Sequence, residues 1–230
     1  MSVLKRAAAV AAAGALVATT VAAGGSPASA SKIKIKAKVT GTSTIAKTGD
    51  KLTLPKGAKL TSNLVLPGGK IRKGVLTVPT ITAHMNAKIP GLDFLPPVPT
   101  TAKVRMVQTK NIRGRILQKG KNKGHLKTTA HTRLAVPKVT LDVPIPILDG
   151  INIVQDTCTT EPFKIKMLSK NKLNLNKKIA VNTTFTIPKF DGCSIVNVPP
   201  FDLRNNLLTQ LLSGPGNKLN LKIGPIKSNA

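Results

Sequence analysis

Eight residues near the start of the chain, Lys32-Ile33-Lys34-Ile35-Lys36-Ala37-Lys38-Val39, alternate without interruption between a cation and an apolar side chain. A strand points successive side chains to opposite faces, so this pattern puts four ammonium groups on one face and four apolar groups on the other. The segment reads as a half-buried strand, and its lysine face suits a sheet edge guarded against further pairing.

Runs of the same character recur at 59–66, 74–83, 101–108, 112–117, 125–136, 139–143, 163–168, 178–187 and 219–223. Turn signals separate them, among them Thr48-Gly49-Asp50, Pro67-Gly68-Gly69, the Lys119 to Gly124 stretch and Leu148-Asp149-Gly150. The 17 prolines mostly flank the runs, where a missing N–H breaks no ladder bond. With five Phe and no Tyr or Trp, a core has to be built from Val, Ile, Leu and Ala. The expected fold is all-β: an antiparallel β-sandwich, or a barrel-like sandwich, with one short C-terminal helix. That helix is predicted over 201–213, where Leu203, Leu207, Leu208, Leu211 and Leu212 share one face. Asp202 stands at its start and Gly214-Pro215 at its end, and it is expected to cover an open end of the β core.

Residues 1–30 have the three parts of an export signal: Lys5 and Arg6, then an Ala/Val-rich apolar run from Ala7 to Ala23, then Ala28-Ser29-Ala30. Cleavage before Ser31 is expected, leaving 31–230 as a single secreted β domain. The apolar run is short and alanine-rich for a membrane span, and no transmembrane segment is expected once the signal is removed. The two cysteines, Cys158 and Cys193, are then read as a disulfide. Closing that loop stabilises a fold by roughly 3–4 kcal/mol on the chain-entropy model.

The signal holds two of the 36 basic residues and none of the eight acidic ones, which leaves +26 on the remainder. Such a charge favours anionic partners and fast, salt-sensitive association with them. The densest basic clusters are 32–38, 70–73, 103–127 and 164–178. Lys32, Lys34, Lys36, Lys38, Lys70, Arg72 and Lys73 are the candidate contacts with an anionic surface. Specific nucleic-acid recognition is not expected: the five Phe, at 94, 163, 185, 190 and 201, sit beside Pro or at alternating apolar positions, which suits packing better than base stacking.

Residues that carry chemistry are sparse. His84, His125 and His131 are the ordinary bases near neutral pH, and all fall in apparent strands. His125 and His131 share a strand face but lie about 20 Å apart at the usual rise, too far for one metal. There is no His-x-x-x-His or Cys-x-x-Cys pair. Gly69 to Gly74 has phosphate-loop spacing but is followed by Val75, not Lys-Ser or Lys-Thr. Ser213 lacks the flanking glycines of a nucleophile elbow. The acidic residues, including Asp149, Asp156, Asp191 and Asp202, read as turn and cap residues. No catalytic group, metal or cofactor is expected.

The C-terminal half resembles a family of exported actinobacterial β proteins of unassigned function. The resemblance rests on Cys158-Thr159-Thr160-Glu161-Pro162 before an apolar strand, a second cysteine before a loop and short helix, and Leu212-Ser213-Gly214-Pro215-Gly216-Asn217 followed by Leu219-Asn220-Leu221. Gly91 to Val107, with its Pro-Val step before a strand, is similar as well. The chain departs from the family in its lysine load and in having Gly192 before Cys193. The resemblance implies a secreted, disulfide-linked β-sandwich and supplies no activity.

The expectation is thus a noncatalytic protein, secreted or associated with the cell envelope, that attaches to anionic cell-wall polymers or a membrane surface through exposed lysines. The alternative is a carrier of an apolar ligand between the sheets, with the Leu203–Leu212 helix across its mouth. A third and less favoured reading, an unrecognised hydrolase, requires a concave site where a histidine meets a carboxylate.

Overall fold

The computed structural model describes residues 31–87, 96–142, 150, 152, 154, 158–193 and 207–229. The expected export signal, residues 1–30, and the first half of the expected helix, with Asp202, lie outside the described residues. In chain order the elements are β1 (Ser31–Thr44), β2 (Lys51–Thr53), β3 (Lys59–Leu66), β4 (Lys70–Thr77), β5 (Ile81–Ala87), β6 (Val98–Ile116), β7 (His125–Leu141), β8 (Thr159–Thr160), β9 (Phe163–Lys172), β10 (Ile179–Ile187), β11 (Phe190–Asp191), α1 (Leu207–Leu212) and β12 (Gly214–Asn229).

Eight of these strands close into a ring, β1-β3-β4-β6-β7-β9-β10-β12 and back to β1, with every pairing antiparallel. The ring follows chain order, so it is an up-and-down barrel-like sheet. Eight strands give an interior that side chains fill or that holds one small ligand. The alternation read from the sequence decides which side chains enter: Ile35, Ala37 and Val39 are buried inside, and Lys34, Lys36 and Lys38 are exposed outside. This wall is the inverse of a membrane barrel, whose outward band is apolar. Among the described residues, no helix is long and apolar enough to cross a membrane.

The two ends of the ring differ. The loop end carries the connections 67–69, 117–124 and 173–178, the start of β1 and the end of β12. The helix end carries β2, β5, β8, β11 and α1. There β6 and β7, 19 and 17 residues long, run beyond the ring as a pair, from Thr100↔Leu141 to Lys103↔Lys138. β5 adds to β6, and β8 and β11 continue from β7. Leu207, Leu208, Leu211 and Leu212 of α1 are buried in the apolar cluster beneath this extension, with Ile81, Ala102, Val136 and Val139. The Cys158–Cys193 disulfide joins the segments flanking the short β8–β11 ladder.

Three expectations about strands are corrected. β1 is not an edge: it pairs with β12 on one side and with β3 on the other. The run 74–83 is two strands, interrupted by 78–80 with Pro79. The runs 101–108 and 112–117 both fall on β6, which ends at Ile116, and the runs 125–136 and 139–143 both fall on β7 as far as Leu141. Register shifts between Gln108 and Arg113 bend β6 around the ring and disguise its alternation. Pro137 lies inside β7, where Asn152 replaces ladder bonds by accepting from the Val139 N–H and donating to the Pro137 carbonyl.

The Ser213–Asn217 motif is a structural clip. Ser213 Oγ donates to the Pro188 carbonyl at 2.7 Å. Asn217, 1% exposed, accepts from the Ala46 N–H at 3.0 Å and donates to the Gly214 carbonyl at 2.8 Å. Gly216 takes a φ of 81°, which favours glycine. The clip ties the turn after β1 to the start of β12, where the barrel closes.

Candidate anion-binding groove and apolar bore

A concave groove of about 350 Å³ lies on the outer wall toward the loop end. It is lined by Lys70 and Arg72 of β4, Arg113 and Arg115 of β6, and Lys127 and Thr129 of β7. Period two turns these side chains outward, and the register sets them side by side: Lys70 faces Arg115, and Arg115 faces Lys127. Neighbouring strands lie about 4.8 Å apart. Three cations therefore form one rung, and like charges directly opposite one another destabilise a sheet. No ion pair or side-chain hydrogen bond relieves the five cations among the described residues. An anion seated among them removes that repulsion, and arginine adds a planar fork that fits phosphate or carboxylate oxygens two at a time.

Of the candidate contacts, the structure brings Lys70 and Arg72 into the groove. Lys73 is exposed at the register shift between Ile71 and Gly74 with a φ of 52°, and it does not line the groove. Lys32, Lys34, Lys36 and Lys38 lie two strands away on β1; the row Lys34–Asn63–Arg72 measures the offset at roughly 10 Å. Arg113, Arg115 and Lys127 belonged to a broad basic cluster in the sequence. The signal that singles them out is the outward pair Arg113-x-Arg115 matching Lys70-x-Arg72, which becomes meaningful once β4 and β6 are neighbours.

Charge is divided between the ends. The four described acidic residues, Asp50, Asp142, Glu161 and Asp191, all belong to the helix end. The three loop-end connections hold Lys119, Lys121, Lys123, Lys177 and Lys178 and no acidic residue.

Inside the ring is an apolar cavity of about 70 Å³, lined by side chains such as Ile35, Leu64, Ile71, Met167, Leu221 and Ile223. A second space of about 50 Å³ adjoins it toward the helix end and shares Leu54, Met106, Thr132, Ile165 and Leu219. Together they form an apolar bore. It lies within one closed ring, where the sequence suggested a space between two sheets, and α1 covers the end away from the larger cavity.

The histidines are dispersed. His84 Nδ1 lies 3.1 Å from Thr101 Oγ1, which donates to Asp142 Oδ2 at 2.9 Å, all on exposed surface. The Thr101 hydroxyl is thus hydrogen-bonded to the carboxylate, with its oxygen beside the imidazole. His125 Nδ1 donates to the Ser169 carbonyl at 2.7 Å, and His131 lies between Lys110 and Lys164 on the neighbouring strands. None of the three lines the groove or the bore. Among the described residues, no group of three His, Cys, Asp or Glu side chains is placed to hold a metal. Compared with protein-family models, curated proteins and solved structures, the chain matches none.

Proposed function

We propose that this chain is an exported, noncatalytic β-barrel protein that attaches to anionic polymers of the cell envelope through the groove on β4, β6 and β7. The observation that carries the reading is the uncompensated rung Lys70–Arg115–Lys127, flanked by Arg72 and Arg113. Export is supported by the Met1–Ala30 pattern and by the disulfide. The binding is electrostatic, and salt weakens it by restoring counter-ions to the polymer.

The test separates the groove from net charge. The protein is bound to immobilised polyphosphate and eluted with rising salt. The R113S/R115S/K127S variant is expected to elute well before a K34S/K36S/K38S variant that has lost the same charge. Equal elution of the two variants would falsify the groove as the site, and retention unaffected by salt would remove the electrostatic mechanism.

A further inference from the structure

We propose that the bore is a second binding site, for a free, short-chain anionic amphiphile whose alkyl chain enters at the loop end and whose head group stays among the loop lysines. The lining makes the chain apolar. Its polar groups are the hydroxyls of Ser62, Thr128 and Thr132. Ser62 already donates to the Arg72 carbonyl, and Thr132 to the Val107 carbonyl, each at 3.0 Å. Of the three, only the Thr128 hydroxyl is left to meet a charged group carried inside, and one hydroxyl does not replace a hydration shell. The head must therefore remain at a mouth.

The position of the mouth follows from the two ends. At the helix end, α1 and its buried leucines cover the core. At the loop end, Leu173 and Leu175 line the cavity from the connection 173–178 and are only half-buried. Leu173 N–H donates to the Gly124 carbonyl and Ile226 N–H to the Leu175 carbonyl, both at 2.8 Å, and Asn171 Nδ2 donates to the Lys178 carbonyl at 3.3 Å. The same connection carries Lys177 and Lys178, both exposed. The side chains that cover the bore and the charges that would meet a head group thus belong to one short segment. The size sets the chain length: 70 Å³ is about half of a dry cavity that admits benzene, and the adjoining space lies past the flexible Met106. At about 25 Å³ per carbon by that comparison, the two spaces together take an alkyl chain of roughly three to five carbons.

Calorimetry on the mature protein with sodium butyrate, hexanoate, octanoate and dodecanoate tests this. Affinity is expected to rise about fourfold per methylene up to hexanoate and then to level off. No binding, or a rise that continues unbroken to dodecanoate, overturns the bore. Octanoate should bind more tightly than 1-octanol, and hexanedioate should not bind; equal binding of octanoate and octanol overturns the role of the lysines. Ala130→Phe, which fills the bore, should abolish octanoate binding. Lys177→Ser with Lys178→Ser should weaken octanoate and leave octanol unchanged. The chain-length series uses the native protein, so it decides the matter even where Ala130→Phe does not fold. Loss of octanoate binding in R113S/R115S would move the head group to the outer groove and overturn the mouth. Sedimentation with phosphatidylglycerol vesicles in the absence of octanoate binding would assign the surface to a bilayer instead.

Discussion

At the helix end, the four leucines of α1 are packed under the paired extension of β6 and β7, a disulfide locks the β8–β11 ladder, and the described acidic residues are gathered there. At the loop end, Leu173 and Leu175 are half-buried, backbone and asparagine side-chain bonds hold their connection, and the nearby charges are lysines. The same barrel wall joins both. The difference is one of composition: the disulfide and the helix packing stand at one end, and the loop lysines at the other. Regions that admit ligands are drawn from the less stable part of a fold, because opening there leaves the rest intact.

The largest expected effect sets one end against the other. Leu208→Ala at the helix end removes a side chain 3% exposed and should cost about 2–5 kcal/mol. Leu175→Ala at the loop end should cost less than about 1 kcal/mol, because its site is already partly wet. Chemical denaturation of both variants measures the contrast, and equal losses would break it. Next in size is the disulfide. Cys158→Ser with Cys193→Ser should lower stability by roughly 3 kcal/mol, and amide exchange should speed up around β8, β11 and α1. Uniform acceleration over the whole barrel would show that the bond supports the ring and not the helix end.

Much of this fold was legible because side-chain alternation has a physical period. Lys32 to Val39 announced its inward and outward residues, and Lys59–Leu66 was read with the bounds β3 has. The cysteines paired as their number suggested. Closure was not legible. That β12 lies against β1 depends on contacts across nearly the whole chain, and no local pattern reports them. Gly41 shows the kind of clue involved: a Cβ there would run into the carbonyl of Asn220, so only glycine lets the closing strands approach this closely. The groove was hidden for the same reason. Lys70 and Arg115 lie 45 positions apart in sequence, and their register is set by the ring, while the lysines of 32–38 were conspicuous because they are contiguous.

A smaller effect tests which end the wall follows. The β4–β6 ladder thins out after Gly74↔Ile112, and the Gln108 side chain takes its place. Its Oε1 accepts from the Leu76 N–H at 2.8 Å, and its Nε2 donates to the Gly74 carbonyl at 2.9 Å. Gln108→Leu leaves both backbone groups without that partner and should cost about 1–2 kcal/mol. Hydrogen exchange would then show faster opening at 74–76. If protection there stays unchanged, the ladder is held by neighbouring strands and Gln108 is dispensable.

The smallest expected effect is on stability at the groove, and its sign carries the information. Arg113→Ser with Arg115→Ser removes two cations from a site crowded with like charge. The folded barrel should therefore gain slightly, by about 1–2 °C in Tm at low salt, and the gain should fade as added salt screens exposed charges. Substitutions that improve binding surfaces and folded stability together would leave no reason for such a rung. One that raises stability while weakening anion binding is the mark of a surface held against its own repulsion for a partner. A salt-independent drop in Tm would have a different meaning. It would show that the arginine stems cover apolar wall beneath them, and the rung would then be explained by packing.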